Sequence, residues 1–233
     1  MFRKKLLFLC MLCLVWVSLN KVSLSAECYS TSNYADITKI RIDRLIEAVD
    51  EQMLCKDALN GVIDDQVPIE ISQNITAEVE FIPNDNADEI QFEVYKTVQK
   101  VGNVINSAGE TVNLYVAGAV VTDTTTDGRH QNKYDVDAYV YIYWIDNLRT
   151  NNELYTVSAS WETNGKIVSN RLAEYGVKDV LGITFTESDI ACISSDNFYQ
   201  EVPGTYYGFV LGCTSSIDVV NQGTLKCSVH SKL

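Results

Sequence analysis

The sequence predicts a mainly β protein, an antiparallel β-sandwich carrying one N-terminal amphipathic α-helix. Three observations predict it. Apolar residues alternate strictly with polar or aromatic ones from Tyr134 to Ile145. Turn signals recur about every ten residues beyond position 67, separating many short β-like runs, as sandwiches and barrels do. A helical period is confined to residues 35–60, where Ile42, Leu45, Ile46, Val49, Met53 and Leu54 recur three and four apart among charged residues. No repeat, linker or charge block divides residues 67–233.

The chain opens with a different kind of segment. Met1-Phe2-Arg3-Lys4-Lys5 precedes an apolar run from Leu6 to Leu19, and small residues follow as far as Ala26. A basic start, a short apolar stretch and a small residue at the exit describe a secretory signal peptide, with cleavage near Ala26. The apolar run is shorter than the roughly 18–25 residues of a membrane span; an uncleaved N-terminal anchor is the competing reading. The predicted organisation is therefore a signal peptide over 1–26, a helical segment over 27–66 and a β domain over 67–233, in a secreted protein.

Charge narrows the function classes. The 233-residue chain has 18 basic and 31 acidic residues, a net charge of −13. Cleavage would remove four basic residues (Arg3, Lys4, Lys5 and Lys21) and no acidic ones, leaving 14 basic against 31 acidic residues and a net charge of −17. Such a surface repels phosphate backbones and anionic lipid, so a nucleic-acid partner is excluded and a membrane role beyond export is disfavoured. The closing Ser231-Lys232-Leu233 matches a peroxisomal address that an exported chain would never present to its receptor. Asn74-Ile75-Thr76 is a glycosylation sequon, meaningful only in a eukaryotic secretory pathway.

The elements follow in order. The helix over residues 35–60 reads as one amphipathic rod of five or six turns ending near Asn60-Gly61. Val67, Ile69 and Ile71 alternate as a strand, and Ile75, Ala77, Val79 and Phe81 form a second, closed by a turn at Pro83-Asn84-Asp85-Asn86. Residues 89–105 fit a strand or a helix and are assigned to a strand. Val112, Leu114, Val116 and Val120-Val121 give the next one. In the 134–145 strand, Val136, Ala138, Val140, Ile142 and Trp144 share one face, and Asp135, Asp137, Tyr139, Tyr141 and Tyr143 the other. Leu154 to Trp161 is a further strand, and Asn164-Gly165 reads as a two-residue hairpin turn. Shorter β-like pieces lie at 182–185, 206–211 and 225–229.

The stretch Trp161-Glu-Thr-Asn-Gly-Lys-Ile-Val-Ser-Asn-Arg171, followed by Tyr175-Gly176, resembles a segment of small exported proteins of Gram-positive bacteria. The run Leu225-Lys-Cys-Ser-Val229 is similar to their last strand. The resemblance covers about residues 110–233 and implies export and β-architecture; those proteins are mostly of unknown function, and it carries over no catalytic residue.

Five cysteines follow the signal segment: Cys28, Cys55, Cys192, Cys213 and Cys227. In an exported chain they are candidates for disulfides, each stabilising by about 2–4 kcal/mol, with one left over. Cys28–Cys55 would tie the start of the mature chain to the helix. Cys213–Cys227 would cross-link two late strands, with Cys192–Cys227 as its rival. Cys192, Cys213, Cys227 and His230 also total four zinc-type ligands, but no closely spaced cysteine pair supports a zinc site.

Candidate chemistry is sparse. No GxSxG elbow, HExxH or phosphate-binding glycine loop occurs. His130 and His230 are the only imidazoles, so a nucleophile–base combination would be a Cys–His pair such as Cys192 with His130. Asp135 and Asp137, near Asp123 and Asp127, suggest either a carboxylate-dependent hydrolase or a calcium site, although solvated loop charge accounts for them better than a metal does. No other cofactor is implied. The sharpest feature is the face holding Tyr139, Tyr141, Tyr143, Asp135 and Asp137. It would serve as a platform for a glycan or a protein partner, or else lie buried beneath the helix. The function expected is a non-enzymatic exported protein that binds an extracellular ligand; a secreted antibacterial or toxin-like protein acting on membranes is the alternative.

Overall fold

The computed structural model describes residues 36–85, 90–106, 108–123, 134–147, 152–178, 187–202 and 206–232. The signal segment, Cys28, Asp127, His130 and the run 182–185 lie outside them. The chain divides into two compact units at Glu47/Ala48. In the first, the described residues form one helix, α1 (36–47), with Lys39 and Asp43 paired across one turn.

The helical period of 35–60 therefore yields two helices, not one rod. The second, α2 (Glu51–Leu59), opens the second unit. Asp50 breaks the run: in extended conformation, its carboxylate accepts the Gln52 and Met53 amides at 3.0 and 3.2 Å, the arrangement of an N-cap. An apolar stripe continues across such a break, so periodicity alone does not reveal it. The C-terminal end falls as expected, at Asn60 with Gly61 at φ 66°.

The expected strand at Val67–Ile71 is instead a short helix, α3 (Ile69–Asn74), entered from Pro68. Val67, Ile71 and Ile75 are buried four residues apart while Ile69 is 72% exposed. The alternation was one turn of a helical pattern read at too short a window.

The rest of the unit is antiparallel β-structure in two sheets. The strands are β1 (Ile75–Pro83), β2 (Phe92–Ile105), β3 (Thr111–Asp123), β4 (Asp137–Asp146), β5 (Asn152–Glu162), β6 (Val168–Lys178), β7 (Glu187–Ile193), β8 (Asn197–Glu201), β9 (Tyr207–Gly208), β10 (Val210–Val219) and β11 (Gly223–Lys232). One sheet runs β1-β11-β10-β6-β7; the other runs β2-β3-β4-β5-β8, with β9 also on β5. Asn164-Gly165 does turn the chain with both residues at positive φ, but it carries the chain from one sheet to the other and is not a hairpin.

The inner side chains of both sheets share one core. Val136, just before β4, and Ala138, Val140, Ile142 and Trp144 of β4 lie in it, the face that alternation assigns them. From the other sheet come Ala173, Tyr175, Leu211, Cys213, Ile217, Leu225, Cys227 and Val229. Tyr134 donates its hydroxyl to the Gly223 carbonyl at 3.1 Å and packs edge-on against Phe81 and Phe92. Helix α2 and the loop after it cover part of the outer face of the six-stranded sheet. Gln99 donates to Asp57 at 2.6 Å, Thr97 to the Val62 carbonyl at 3.0 Å, and Asp64 exchanges bonds with the β2 backbone at Val98 and Lys100. Nothing among the described helices is long and apolar enough to cross a membrane.

A candidate ligand platform on the six-stranded sheet

Strand alternation places Tyr139, Tyr141 and Tyr143 on the outer face, and α2 then covers them. Tyr141 and Tyr143 are 2% and 1% exposed. Tyr143 donates to the Glu51 carboxylate at 3.1 Å, Ser158 to the same oxygen at 2.7 Å, and Tyr141 to the Glu51 carbonyl at 3.2 Å. Burial, followed by the neighbouring Cys55 for Tyr141 and Glu51 for Tyr143, pushes both phenols well above the ordinary tyrosine range. They fasten a helix to a sheet and offer no exposed ring to a ligand. Tyr139 is half-buried, in hydrogen-bond contact with Cys55 and Glu162.

Asp135 and Asp137 separate. Asp135 sits before β4 at φ 54°, its amide toward the Asp123 carboxylate at 3.4 Å and its own carboxylate 3.5 Å from Lys166. Asp137 begins β4 opposite Glu162, close to Tyr139 and Cys55. The two acids thus belong to different neighbourhoods. Among the described residues, no group of three His, Cys, Asp or Glu side chains is placed to hold a metal.

The cysteines also fail to converge. Cys55, Cys192, Cys213 and Cys227 are all free thiols. Cys213 pairs in register with Val229 and Cys227 with Ser215, so the two are offset by two residues on adjacent strands, and no bond joins them. Both are buried in the core, which pushes their thiols far up. Cys192 lies on the outer face of β7, three strands away from β11, so the Cys192–Cys227 alternative fails as well. His230 also faces outward, which splits the four zinc-type ligands between the two faces of one sheet. Cys28, the expected partner of Cys55, lies outside the described residues.

Exposed tyrosines do occur on the same face of the same sheet, two strands from where alternation pointed. Tyr199 of β8 pairs with Ser158 and Tyr207 of β9 with Glu153, both on the outer side of β5. Tyr199 is 52% and Tyr207 41% exposed. Five residues of β5 separate their partners, about 15 Å along the strand. Between them lies the exposed Glu201, opposite Thr156. Tyr207 donates its hydroxyl to Glu153, whose carboxyl burial holds above the ordinary range. The edge strands β8 and β9 therefore present two aromatic faces and two carboxylates along one border. β9 falls inside the β-like piece expected at 206–211, but β8 carries no strong period, and nothing in either segment signals its place beside β5.

No family model matches the chain, and neither a curated protein nor a solved structure is detectably similar to it.

Proposed function

We propose that this chain is an exported, non-enzymatic protein that binds an extracellular glycan through the outer border of β8 and β9, on a domain whose two sheets pack as a sandwich. The observation that carries this reading is the exposure of Tyr199 and Tyr207 on one face, with Glu201 and Glu153 beside them. A tyrosine ring offers flat apolar area to the C–H face of a sugar and a hydroxyl to its edge. Carboxylates accept the hydroxyl hydrogens that sugars present in numbers. The spacing of about 15 Å suits a chain of several sugar units better than one ring. Export rests on the basic and apolar pattern of residues 1–26. The acidic balance of the chain agrees with a neutral ligand and disfavours a polyanionic one.

Co-sedimentation with insoluble chitin, cellulose and peptidoglycan tests the proposal. Retention on at least one of them, lost in Tyr199→Ala/Tyr207→Ala, supports it. Retention on none, or capture of a protein partner through this border, overturns the glycan assignment.

A further inference from the structure

The outer face of the five-stranded sheet forms a groove of about 510 Å³. Along its floor runs a cross-strand row with one residue from every strand, Glu78, Ser228, Thr214, Glu174 and Ile190, beside a second row that includes Glu80, Lys226, Ser216 and Leu172. Five strands at about 4.8 Å spacing make this row about 19 Å long. The Ser228 and Thr214 hydroxyls share a hydrogen bond of 2.9 Å at its centre. Glu78 and Glu174 flank them, three strand spacings or about 14 Å apart between backbones. No cation shares their row.

The adjoining rows sharpen the charge. On one side Lys226 donates to Glu80 at 2.8 Å, so that pair is internally balanced. On the other, Gly212 and Gly176 face each other across β10 and β6, leaving that part of the floor without side chains. The His230 ring lies against Gly212, where a Cβ would meet it at 3.3 Å. Burial, and then the nearby Lys178, lower its pKa from the ordinary 6.5, so at neutral pH it adds no charge. Glu78 and Glu174 thus face the groove beside the Glu80–Lys226 pair that also lines it, over a floor that both donates and accepts hydrogen bonds, in a chain of net charge −13.

We propose that this groove binds an extended basic segment of another protein, with cationic side chains four residues apart meeting Glu78 and Glu174. An extended chain rises about 3.4 Å per residue, so side chains at i and i+4 project on the same side about 14 Å apart. Their span matches that of the two glutamates, and the peptide backbone between them lies over Ser228 and Thr214. Opposite charge supplies orientation and a fast, salt-sensitive encounter.

The test is fluorescence polarisation of the full chain with labelled Gly-Lys-Thr-Ser-Thr-Lys-Gly. Saturable binding at low salt, weakened at least tenfold in Glu78→Gln/Glu174→Gln and in a peptide with both lysines replaced by threonine, is the expected result. Both substitutions are at exposed positions, and the melting temperature of the variant checks that the fold survives. Tyr199→Ala/Tyr207→Ala should leave peptide binding unchanged, which separates this proposal from the glycan platform. Absent binding, binding indifferent to the two glutamines, or displacement of the peptide by neutral oligosaccharides would each overturn it.

Discussion

The ring of Tyr141 lies across the backbone of Gly118, its register partner on β3: a Cβ built at Gly118 would stand 2.5 Å from two ring carbons. Glycine at this point of a buried strand gives up β-propensity to admit an aromatic ring flat against the sheet. Gly118→Ala should therefore cost about 1–3 kcal/mol by overpacking, read from the midpoint of urea unfolding. The same substitution in a Tyr141→Ala background should cost far less, and equal costs in both backgrounds would show that the ring contact is not the cause.

Glu51 is where α2 is fastened. Its carboxylate accepts from Tyr143 and Ser158, while its carbonyl accepts from Tyr141. Glu51→Ala strands two hydroxyls under the helix and should cost about 1–3 kcal/mol. Glu51→Gln keeps an acceptor in place and should cost less. Urea unfolding of the two variants measures the difference; a smaller loss for alanine would refute the fastening role.

The thiols should differ sharply in reactivity. Only the thiolate attacks iodoacetamide, and burial both raises the thiol pKa and blocks access. In the native protein Cys192 should alkylate first and Cys55 more slowly, with Cys213 and Cys227 protected until the chain unfolds. Mass spectrometry of tryptic peptides reads each site separately. A Cys213–Cys227 crosslink in the same digest would contradict the free thiols.

His230 should leave a signature in acid. Its folded pKa lies below the unfolded value of 6.5, because burial and Lys178 oppose the charged ring more than Glu78 favours it. The unfolded chain therefore takes up a proton first as pH falls. The contribution of His230 is constant above that value, and stability is lost as pH drops from 6.5 toward the folded pKa. Carboxylates add their own slope, so the comparison is with His230→Gln, whose unfolding midpoint should fall less steeply between pH 7.5 and 5.5. Parallel curves would mean that the ring is not held neutral.

Much of the fold was legible because strand alternation is a strict code. It assigned both faces of β4 and of the residue before it, including the five that enter the shared core. It failed where a local contact outweighs periodicity: at Asp50, whose side chain caps a new helix, and at Val67–Ile71, too short a window to separate the two periods. Asn164-Gly165 was read correctly as a turn, but turn chemistry is blind to which sheet the following strand joins. The candidate site shows the same limit. Sequence identified tyrosine on this sheet face as the feature of interest, yet only the position of α2 decides that Tyr141 and Tyr143 are covered while Tyr199 and Tyr207 remain open. Pairing between strands far apart in sequence, such as β5 with β8 and β9, has no counterpart in any local pattern.

In the proposed glycan-binding role the edge tyrosines, and not those of β4, meet the ligand. Co-sedimentation with chitin, cellulose and peptidoglycan should compare the full chain with Tyr199→Ala/Tyr207→Ala and with Tyr141→Phe/Tyr143→Phe. The edge variant should lose retention at least tenfold with an unchanged melting temperature, while the phenylalanine variant should be retained but melt lower. Full retention of the edge variant would contradict that role.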